Sequence, residues 1–229
     1  CILISKTSSP TNKFYLHKER HLLSQFPKPE PGLLYKFNEA TIISKNVIEI
    51  IKKYGKPYYI KIDLENYDHI ILKEIFINNI KPKYISAEST FIDIYCLMIL
   101  LGEYKSFKLV NGDNVQFVYE KKTIETLSGK EEYSFPANSA GPFGNDIIGP
   151  WISSENFFHL LAHKGLGWKD IHCSSIDIAE KNESYLKYID NDNKLEEKAM
   201  LKSKSSKKKI SKIKKIISNI FFKKKSNTK

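Results

Sequence analysis

The chain has 229 residues, of which 41% are hydrophobic, which is enough to bury the core of one medium-sized domain with appended segments. Its formal net charge of +11 comes from the end of the chain: residues 202–229 contain 12 Lys and no acidic residue, leaving 25 basic residues against all 26 acidic ones elsewhere. Only this tail therefore invites an anionic partner. Three scattered cysteines exclude a disulfide framework, and the absence of an apolar run of ~18 residues excludes a membrane span, so we expect a cytoplasmic protein.

The first third of the chain predicts few regular elements. Residues 1–5 are typical of a short strand, and the polar, Pro-containing stretch that follows predicts a loop as far as Gly32. Leu33–Phe37 predicts another short strand. A helix should begin at Ser44 as its N-cap and end at Gly55.

The middle of the chain alternates strand and helix patterns. Predicted strands and helices follow in the order Tyr58–Ile62, Tyr67–Asn78, Tyr84–Glu88 and Phe91–Leu101, and the sequence NGDN then predicts a hairpin between Phe107–Val110 and Val115–Tyr119. Short apolar strands separated by helices indicate an α/β fold with at least two parallel strands, here ending in an antiparallel hairpin.

The remaining residues predict one more helix and two appendages. Residues 121–151 are rich in Gly, Pro, Ser and Asn, which indicates an ordered loop or a lid, and Ser153–Lys164 predicts a helix. We therefore divide the chain into an N-terminal remnant (1–32), a main domain (33–178), a polar linker (179–201) and a basic tail (202–229).

Acidic residues lie where predicted strands end. Asp63 and Glu65 follow Tyr58–Ile62, and Glu88 ends the next strand. Ligands of parallel α/β sheets bind at the carboxyl ends of the strands, where a carboxylate can orient a hydroxyl group or act as a general base. The alternative is that Asp63 or Asp68 only caps the following helix. Strand alternation also places Lys61 on the same face as Asp63, where the two could pair.

Five segments resemble one enzyme family in the correct order. YIKIDLENYDHIILKEI is similar to the "IKIDxEG-x-D" segment of FkbM-type, S-adenosylmethionine-dependent methyltransferases. PKYISAE, YKSFKLVN, SAGPFGNDIIGPW and GWKDIHC resemble later segments of that family or of a subgroup. The resemblance covers residues 33–173.

This resemblance implies a class I methyltransferase sheet in which Tyr58–Ile62 is the fourth strand. It implies O-methylation of a saccharide or a small hydroxylated metabolite, with S-adenosylmethionine as the cofactor. Asp63 and Glu65 would be the catalytic residues and would face both donor and acceptor; Asp63 would orient or deprotonate the acceptor, with Glu65 in support. Three residues are expected at the substrate: Glu88, Phe143 and His172. Phe143 belongs to GPFGND, which would be either a lid over the acceptor or an ordered turn. His172 belongs to KDIHC, and a purely structural hydrogen bond is an equally compatible role for it.

Two departures from the family pattern affect these expectations. Asn66 replaces the Gly that follows the Glu, but Asn tolerates the left-handed backbone that such a position often needs. In class I methyltransferases the donor is bound by a Gly-rich loop after the first strand and an acidic residue at the end of the second. The sequence before Tyr58 has neither feature, because its two glycines, Gly32 and Gly55, are isolated. We therefore expect a partial Rossmann-like sheet without its N-terminal strands, a fragment that binds S-adenosylmethionine weakly or not at all and is inactive alone.

The basic tail supports a second, non-catalytic hypothesis. In KKKISKIKKIISNIFFKKK, apolar residues recur at helical spacing among lysines, which is typical of an amphipathic helix on an anionic membrane. RNA binding is a weaker alternative and a solvated tail is another. The chain could then be a degenerate methyltransferase-like module attached through this tail. We expect no metal site, because His159 and His163 have no third ligand in the sequence.

Overall fold

A computed structural model describes residues 2–181 and nine further residues: 185, 186, 189, 193, 194, 197, 200, 201 and 204. The strands are β1 (Leu3–Ser5), β2 (Ser9–His17), β3 (Phe37–Asn46), β4 (Tyr59–Ile62), β5 (Tyr84–Glu88), β6 (Ser106–Asn111), β7 (Lys122–Thr126), β8 (Gly129–Tyr133), β9 (Ile152–Ser153) and β10 (Lys169–Ser174). The α-helices are α1 (Val47–Tyr54), α2 (Asp68–Ile77), α3 (Ile92–Leu100), α4 (Val115–Val118) and α5 (Ser154–Lys164). The predicted tail lies outside the described residues except for residue 204, and the predicted linker lies largely outside them.

The main sheet has five strands in the order β4-β5-β10-β6-β9. β4 pairs in parallel with β5, and β10 is antiparallel to both β5 and β6, so that β4, β5 and β6 run in one direction. One face of this sheet is apolar and joins α2, α3 and α5 in a single core, whose buried residues include Ile62, Ile85, Ala87, Phe107, Leu109, Ile171, Ile71, Leu72, Ile94, Met98, Phe157 and Leu160. The predicted α/β class is confirmed.

The opposite face of the main sheet is polar over β4, β5 and β10, whereas Val110 of β6 packs there in a small second core with Val115, Tyr119 and Ile147. Side chains that alternate with the core residues point to this face, among them Tyr59, Lys61, Ser86, Asp170 and His172. The segment after β8 crosses this face, because Phe143 stacks on Tyr59 with ring centroids 4.6 Å apart and Lys108 donates a hydrogen bond to the carbonyl oxygen of Ile147 at 2.8 Å. The predicted loop or lid is therefore an ordered cover over the sheet.

A second sheet of three strands, in the order β1-β3-β2, precedes the main one. The predicted strand at 1–5 is confirmed, but the prediction of a loop as far as Gly32 is wrong, because β2 is a nine-residue strand paired with β3. The predicted strand at Leu33–Phe37 is also wrong, since Pro31–Lys36 forms a 3-10 helix. β3 pairs with both β1 and β2, so residues on both sides of the predicted boundary at 32/33 form one sheet.

Asn46, not Ser44, caps α1. Its Oδ1 atom accepts hydrogen bonds from the backbone N–H groups of Ile48 and Glu49, at 2.7 Å and 3.1 Å. Ser44 lies within β3, and its side chain donates to the carbonyl oxygen of Thr7. The helix prediction itself is confirmed, and α2, α3 and α5 agree with their predicted limits within two residues.

The predicted hairpin at 107–119 is wrong. Residues 112–114 form a 3-10 turn and Val115–Val118 forms α4, so the chain does not return along β6. β6 instead pairs with β10, a central strand that the sequence patterns did not predict. A hairpin is present nearby, between β7 and β8, in the region predicted as a loop or a lid. In the described part of the chain, each helix is too short or too polar to cross a membrane.

Candidate functional site

A pocket of about 830 Å³ opens at the carboxyl ends of β4 and β5. Glu88 lies at the end of β5, and the other lining residues lie in four segments that connect strands and helices: Arg20, His21, Leu22, Leu23, Asp63, Glu65, Asn138 and Trp168. The volume falls within the range of pockets that hold small molecules. The pocket therefore lies where ligands of parallel sheets bind.

Asp63 and Glu65 are presented by a tight turn between β4 and α2. Glu65 has a φ of 45° and Asn66 a φ of 69°, so two successive residues adopt the left-handed backbone. Asn66 thus takes the conformation predicted for it, while Glu65 adopts one that is uncommon for its residue type. Asp68 fixes the turn, because its Oδ2 atom accepts a hydrogen bond from the backbone N–H of Leu64 at 3.3 Å.

The helix-cap alternative for the acids is not observed. α2 begins at Asp68, its N-cap residue is Tyr67, and no side chain makes a capping hydrogen bond there. Asp63 contacts Lys61 instead, and Asp68 bonds to a backbone group that precedes the helix. Asp63 therefore serves the pocket, whereas Asp68 holds the turn and, in the first turn of α2, also suits the helix dipole.

The acidic wall of the pocket consists of Asp63, Glu65 and Glu88. One carboxylate oxygen from each residue lies within 4.8 Å of the other two. Burial raises the pKa of Glu65 to about 7, and the neighbouring carboxylates of Asp63 and Asp68 add to the rise. Burial also raises the pKa of Glu88 to about 7, with further contributions from Glu65 and Asp63. Both glutamates can therefore exchange protons near neutral pH.

Lys61 connects the acidic wall to the interior of the sheet. Its Nζ atom lies 3.5 Å from Oδ2 of Asp63, which confirms the predicted pairing, and it donates a short hydrogen bond to Oδ1 of Asp170. Burial alone would lower the pKa of Lys61, but the charges of Asp170 and Asp63 outweigh it and raise that pKa. Lys61 is therefore a fixed cation between two carboxylates.

Asp170 is a site residue that sequence reasoning missed. It lies in β10 directly opposite Glu88 of β5, and its side chain is only 4% exposed. The sequence carried two signals for it: Asp170 lies in GWKDIHC, one of the segments that resemble the family, and it alternates with apolar residues in KDIHCS, as in a strand with a polar face.

The acidic wall could also hold a divalent cation. Hard cations such as Ca²⁺ and Mg²⁺ prefer carboxylate oxygens, and three oxygens this close together can share one ion. No metal site was expected from the sequence. The same three oxygens could instead accept hydrogen bonds from hydroxyl groups.

The pocket lining also includes the Arg20 turn, Arg20–Leu23. His17 anchors this turn, because its buried Nδ1 atom accepts hydrogen bonds from the backbone N–H groups of Glu19 and Arg20 at 3.2 Å and 3.0 Å. The N–H of Leu23 donates to the carbonyl oxygen of Arg20 at 2.9 Å. Sequence reasoning assigned this segment to a loop without a function.

Trp168 forms another part of the lining and is held by Gly112. A Cβ atom at residue 112 would lie 2.4 Å from Cε2 of Trp168, so only glycine allows this approach. The N–H of Gly112 also donates to the carbonyl oxygen of Trp168 at 3.1 Å. The indole is 39% exposed and is therefore available to a ligand.

The structure does not bring Phe143 and His172 to this pocket. Phe143 stacks on Tyr59, at the opposite end of β4 from Asp63. His172 is 3% exposed in the middle of β10, and its Nε2 atom is buried without a hydrogen-bond partner among the described residues. Burial lowers the pKa of His172 to about 3, with smaller contributions from Lys61 and Lys108. Of the five predicted site residues, Asp63, Glu65 and Glu88 lie together.

In comparisons of the chain with protein-family models, curated proteins and solved structures, no significant match was found.

Proposed function

We propose that this chain contributes the acceptor site of an S-adenosylmethionine-dependent methyltransferase similar to the FkbM type, acting on a hydroxyl group of a saccharide or a related small molecule. The observation that carries the proposal is the position of Asp63, Glu65 and Glu88, whose carboxylates meet in one pocket at the carboxyl ends of two parallel strands. Two of these residues lie in the segment with the strongest resemblance, and Glu88 lies in the next.

The described residues form only part of a binding site for the methyl donor. A sulfonium group is cationic, which suits the chemistry of the acidic wall. The glycines upstream of β4 do not supply a donor loop, because Gly32 lies in a 3-10 helix and Gly55 follows α1. The described residues therefore fit the reacting end of the donor and not the rest of it. When bound, S-adenosylmethionine would supply an electrophilic methyl group.

The residues of this chain act on the acceptor. Asp63 accepts the proton of the reacting hydroxyl group, while Lys61 keeps the carboxylate of Asp63 in place from the side of the sheet. Glu65 and Glu88, whose pKa values are about 7, are each partly protonated at neutral pH and can donate hydrogen bonds to other hydroxyl groups. Holding the acceptor in this geometry is itself a large part of catalysis.

The test is an Asp63→Asn variant of the protein, expressed with all the residues that its gene encodes. Transfer of a labelled methyl group to a panel of saccharides should fall at least about 100-fold, the lower end for loss of a general base. Donor affinity, measured separately by equilibrium dialysis, should change little. The matched control is Asp177→Asn, because Asp177 is exposed and lies outside the pocket.

Two outcomes would contradict the proposal. The first is unchanged turnover in Asp63→Asn, which would remove the role given to Asp63. The second is a wild-type protein that neither binds the donor nor methylates any saccharide of the panel.

A further inference from the structure

Side chains of both charges line the pocket, and Arg20 is the basic one among three carboxylates. Arg20 is the only arginine in the chain, whose other 36 basic residues are lysines. Its guanidinium group makes no hydrogen bond or ion pair with any residue that the structure describes, although the acidic wall lines the same pocket. The guanidinium is therefore free to bind a ligand.

The backbone that carries Arg20 is fixed in advance. His17 is 8% exposed, packs edge-on against Phe37 with ring centroids 4.9 Å apart, and accepts the backbone N–H of Arg20 at 3.0 Å. The N–H of His17 in turn donates to Oγ of Ser24 at 3.1 Å, on the other side of the turn. A cation on a preorganised turn loses less entropy when it binds a ligand than one on a flexible loop.

Trp168 supplies an aromatic surface in the same pocket. Its indole is held by the close approach of Gly112 and is partly exposed. An exposed indole can pack against the apolar face of a sugar ring. The lining thus combines a surface for a ring, hydrogen-bonding carboxylates for hydroxyl groups and one free guanidinium.

We propose that the ligand of this pocket is a saccharide that carries an anionic oxyacid group, with its ring on Trp168, its anionic group at Arg20 and a hydroxyl group at the acidic wall. A guanidinium recognises carboxylate or phosphate with two parallel hydrogen bonds, whereas a carboxylate wall repels such groups. Because Arg20 forms no ion pair with the acidic wall, the opposite charges of these two groups orient the ligand. This inference rests on the proposed function, since it names the acceptor of that same site.

The test compares two ligands that differ in one group. Binding of methyl β-glucuronide and methyl β-glucoside to the full chain is measured by NMR titration, which needs no methyl donor and so does not depend on methyl transfer. We expect the glucuronide to bind about tenfold more tightly, which is typical of one charge-assisted interaction. Glucose 6-phosphate, compared with glucose, tests phosphate as the anionic group.

Variants assign the preference to named residues. Arg20→Gln should remove the tenfold preference while leaving glucoside binding unchanged, and Trp168→Ala should weaken binding of both glycosides. Lys28→Gln is the control, because it removes the same charge from an exposed residue that does not line the pocket. Amide spectra of each variant show whether it is folded.

Each result decides the inference. A preference for glucuronide or for glucose 6-phosphate that disappears in Arg20→Gln and persists in Lys28→Gln supports it, and the preferred ligand identifies the anionic group. Equal affinity for charged and neutral ligands, a preference that survives in Arg20→Gln, or no binding by the folded wild type overturns it. None of these results bears on whether Asp63 supports methyl transfer, which the activity assay tests separately.

Discussion

Lys61 should be a major determinant of stability, because it is the cation that the structure places beside Asp170. The Asp170 side chain is 4% exposed and the Lys61 side chain 24% exposed. Lys61→Met keeps most of the apolar stem but leaves the carboxylate of Asp170 buried without its partner. Removing one member of a buried ion pair costs about 3–5 kcal/mol, and we expect a loss of unfolding free energy in that range.

Asp170→Asn should cost less, about 1.5–3 kcal/mol, the range for a hydrogen bond to a charged group. Its smaller effect follows because Lys61 still contacts Asp63, which is 50% exposed to solvent. In the double variant, Lys61→Met with Asp170→Asn, the cation and the buried carboxylate are both removed, so neither is left unpaired. Its loss should therefore be smaller than the sum of the two single losses, by about 1–3 kcal/mol of coupling between contacting residues.

The assay is urea denaturation of the wild type, both single variants and the double variant. Their unfolding free energies are compared provided that the slope of free energy against urea concentration is the same for all four proteins. Lys81 and Glu103 provide a matched pair: they are 2.8 Å apart, but the Glu103 side chain is 68% exposed. Their cycle should give a much smaller coupling than the Lys61–Asp170 cycle, because solvent screens an exposed ion pair. Additive losses at Lys61 and Asp170, or equal coupling in the two pairs, would refute this reasoning.

Two further variants test the acidic wall and the contact with Trp168. Because the pKa of Glu88 is about 7 in the folded protein and 4.5 ordinarily, the folded state keeps a proton that the unfolded state loses, and this group lowers stability as pH rises from about 4.5 to about 7. In urea denaturation, Glu88→Gln should therefore gain stability relative to the wild type as the pH rises from 5 to 8, whereas Glu132→Gln, at an exposed residue, should not. Parallel plots of unfolding free energy against pH for Glu88→Gln and the wild type would contradict this. Gly112→Ala should lose about 1–3 kcal/mol through overpacking and alter the fluorescence of Trp168, whereas Gly32→Ala, with no atom within 4 Å of the added Cβ, should do neither; an unchanged melting temperature for Gly112→Ala would be the contrary result.

The sequence predicted the elements whose signals are local. Tyr84–Glu88 is β5 with its predicted limits, and α5 begins after Ser153, whose side chain accepts a hydrogen bond from the N–H of Asn156 as a cap. In both cases the apolar spacing and the flanking residues point to the same element. Such agreement between local preference and tertiary packing makes a prediction dependable.

The central strand β10 was missed because its environment is not local. Its polar side chains are buried, among them Asp170 and His172, since Lys61 and the segment after β8 cover the polar face of the sheet. A run such as KDIHCS therefore has too few apolar residues to be recognised as a buried strand. β2 was missed for the opposite reason, since most of it is not buried.

The acidic wall was predictable because strand ends can be recognised in the sequence, and the carboxyl ends of parallel strands meet at one edge. Asp63, Glu65 and Glu88 needed only that rule. Asp170 and Arg20 could not be found in this way, because both are distant in sequence from the acidic wall. Asp170 joins the site because β10 pairs with β5, and Arg20 joins it through the turn after β2. Register and loop placement are set by the whole fold.

The arrangement of charges divides the roles of the three carboxylates. One carboxylate oxygen from each residue lies within 4.8 Å of the other two, and burial together with the neighbouring carboxylates raises the pKa values of Glu65 and Glu88 to about 7. Asp63 is the member of the wall that contacts a cation, at 3.5 Å from Lys61. A hydroxyl group entering the pocket therefore meets donors at the two glutamates and an oriented acceptor at Asp63, which is why the proposed base is Asp63 and not either glutamate.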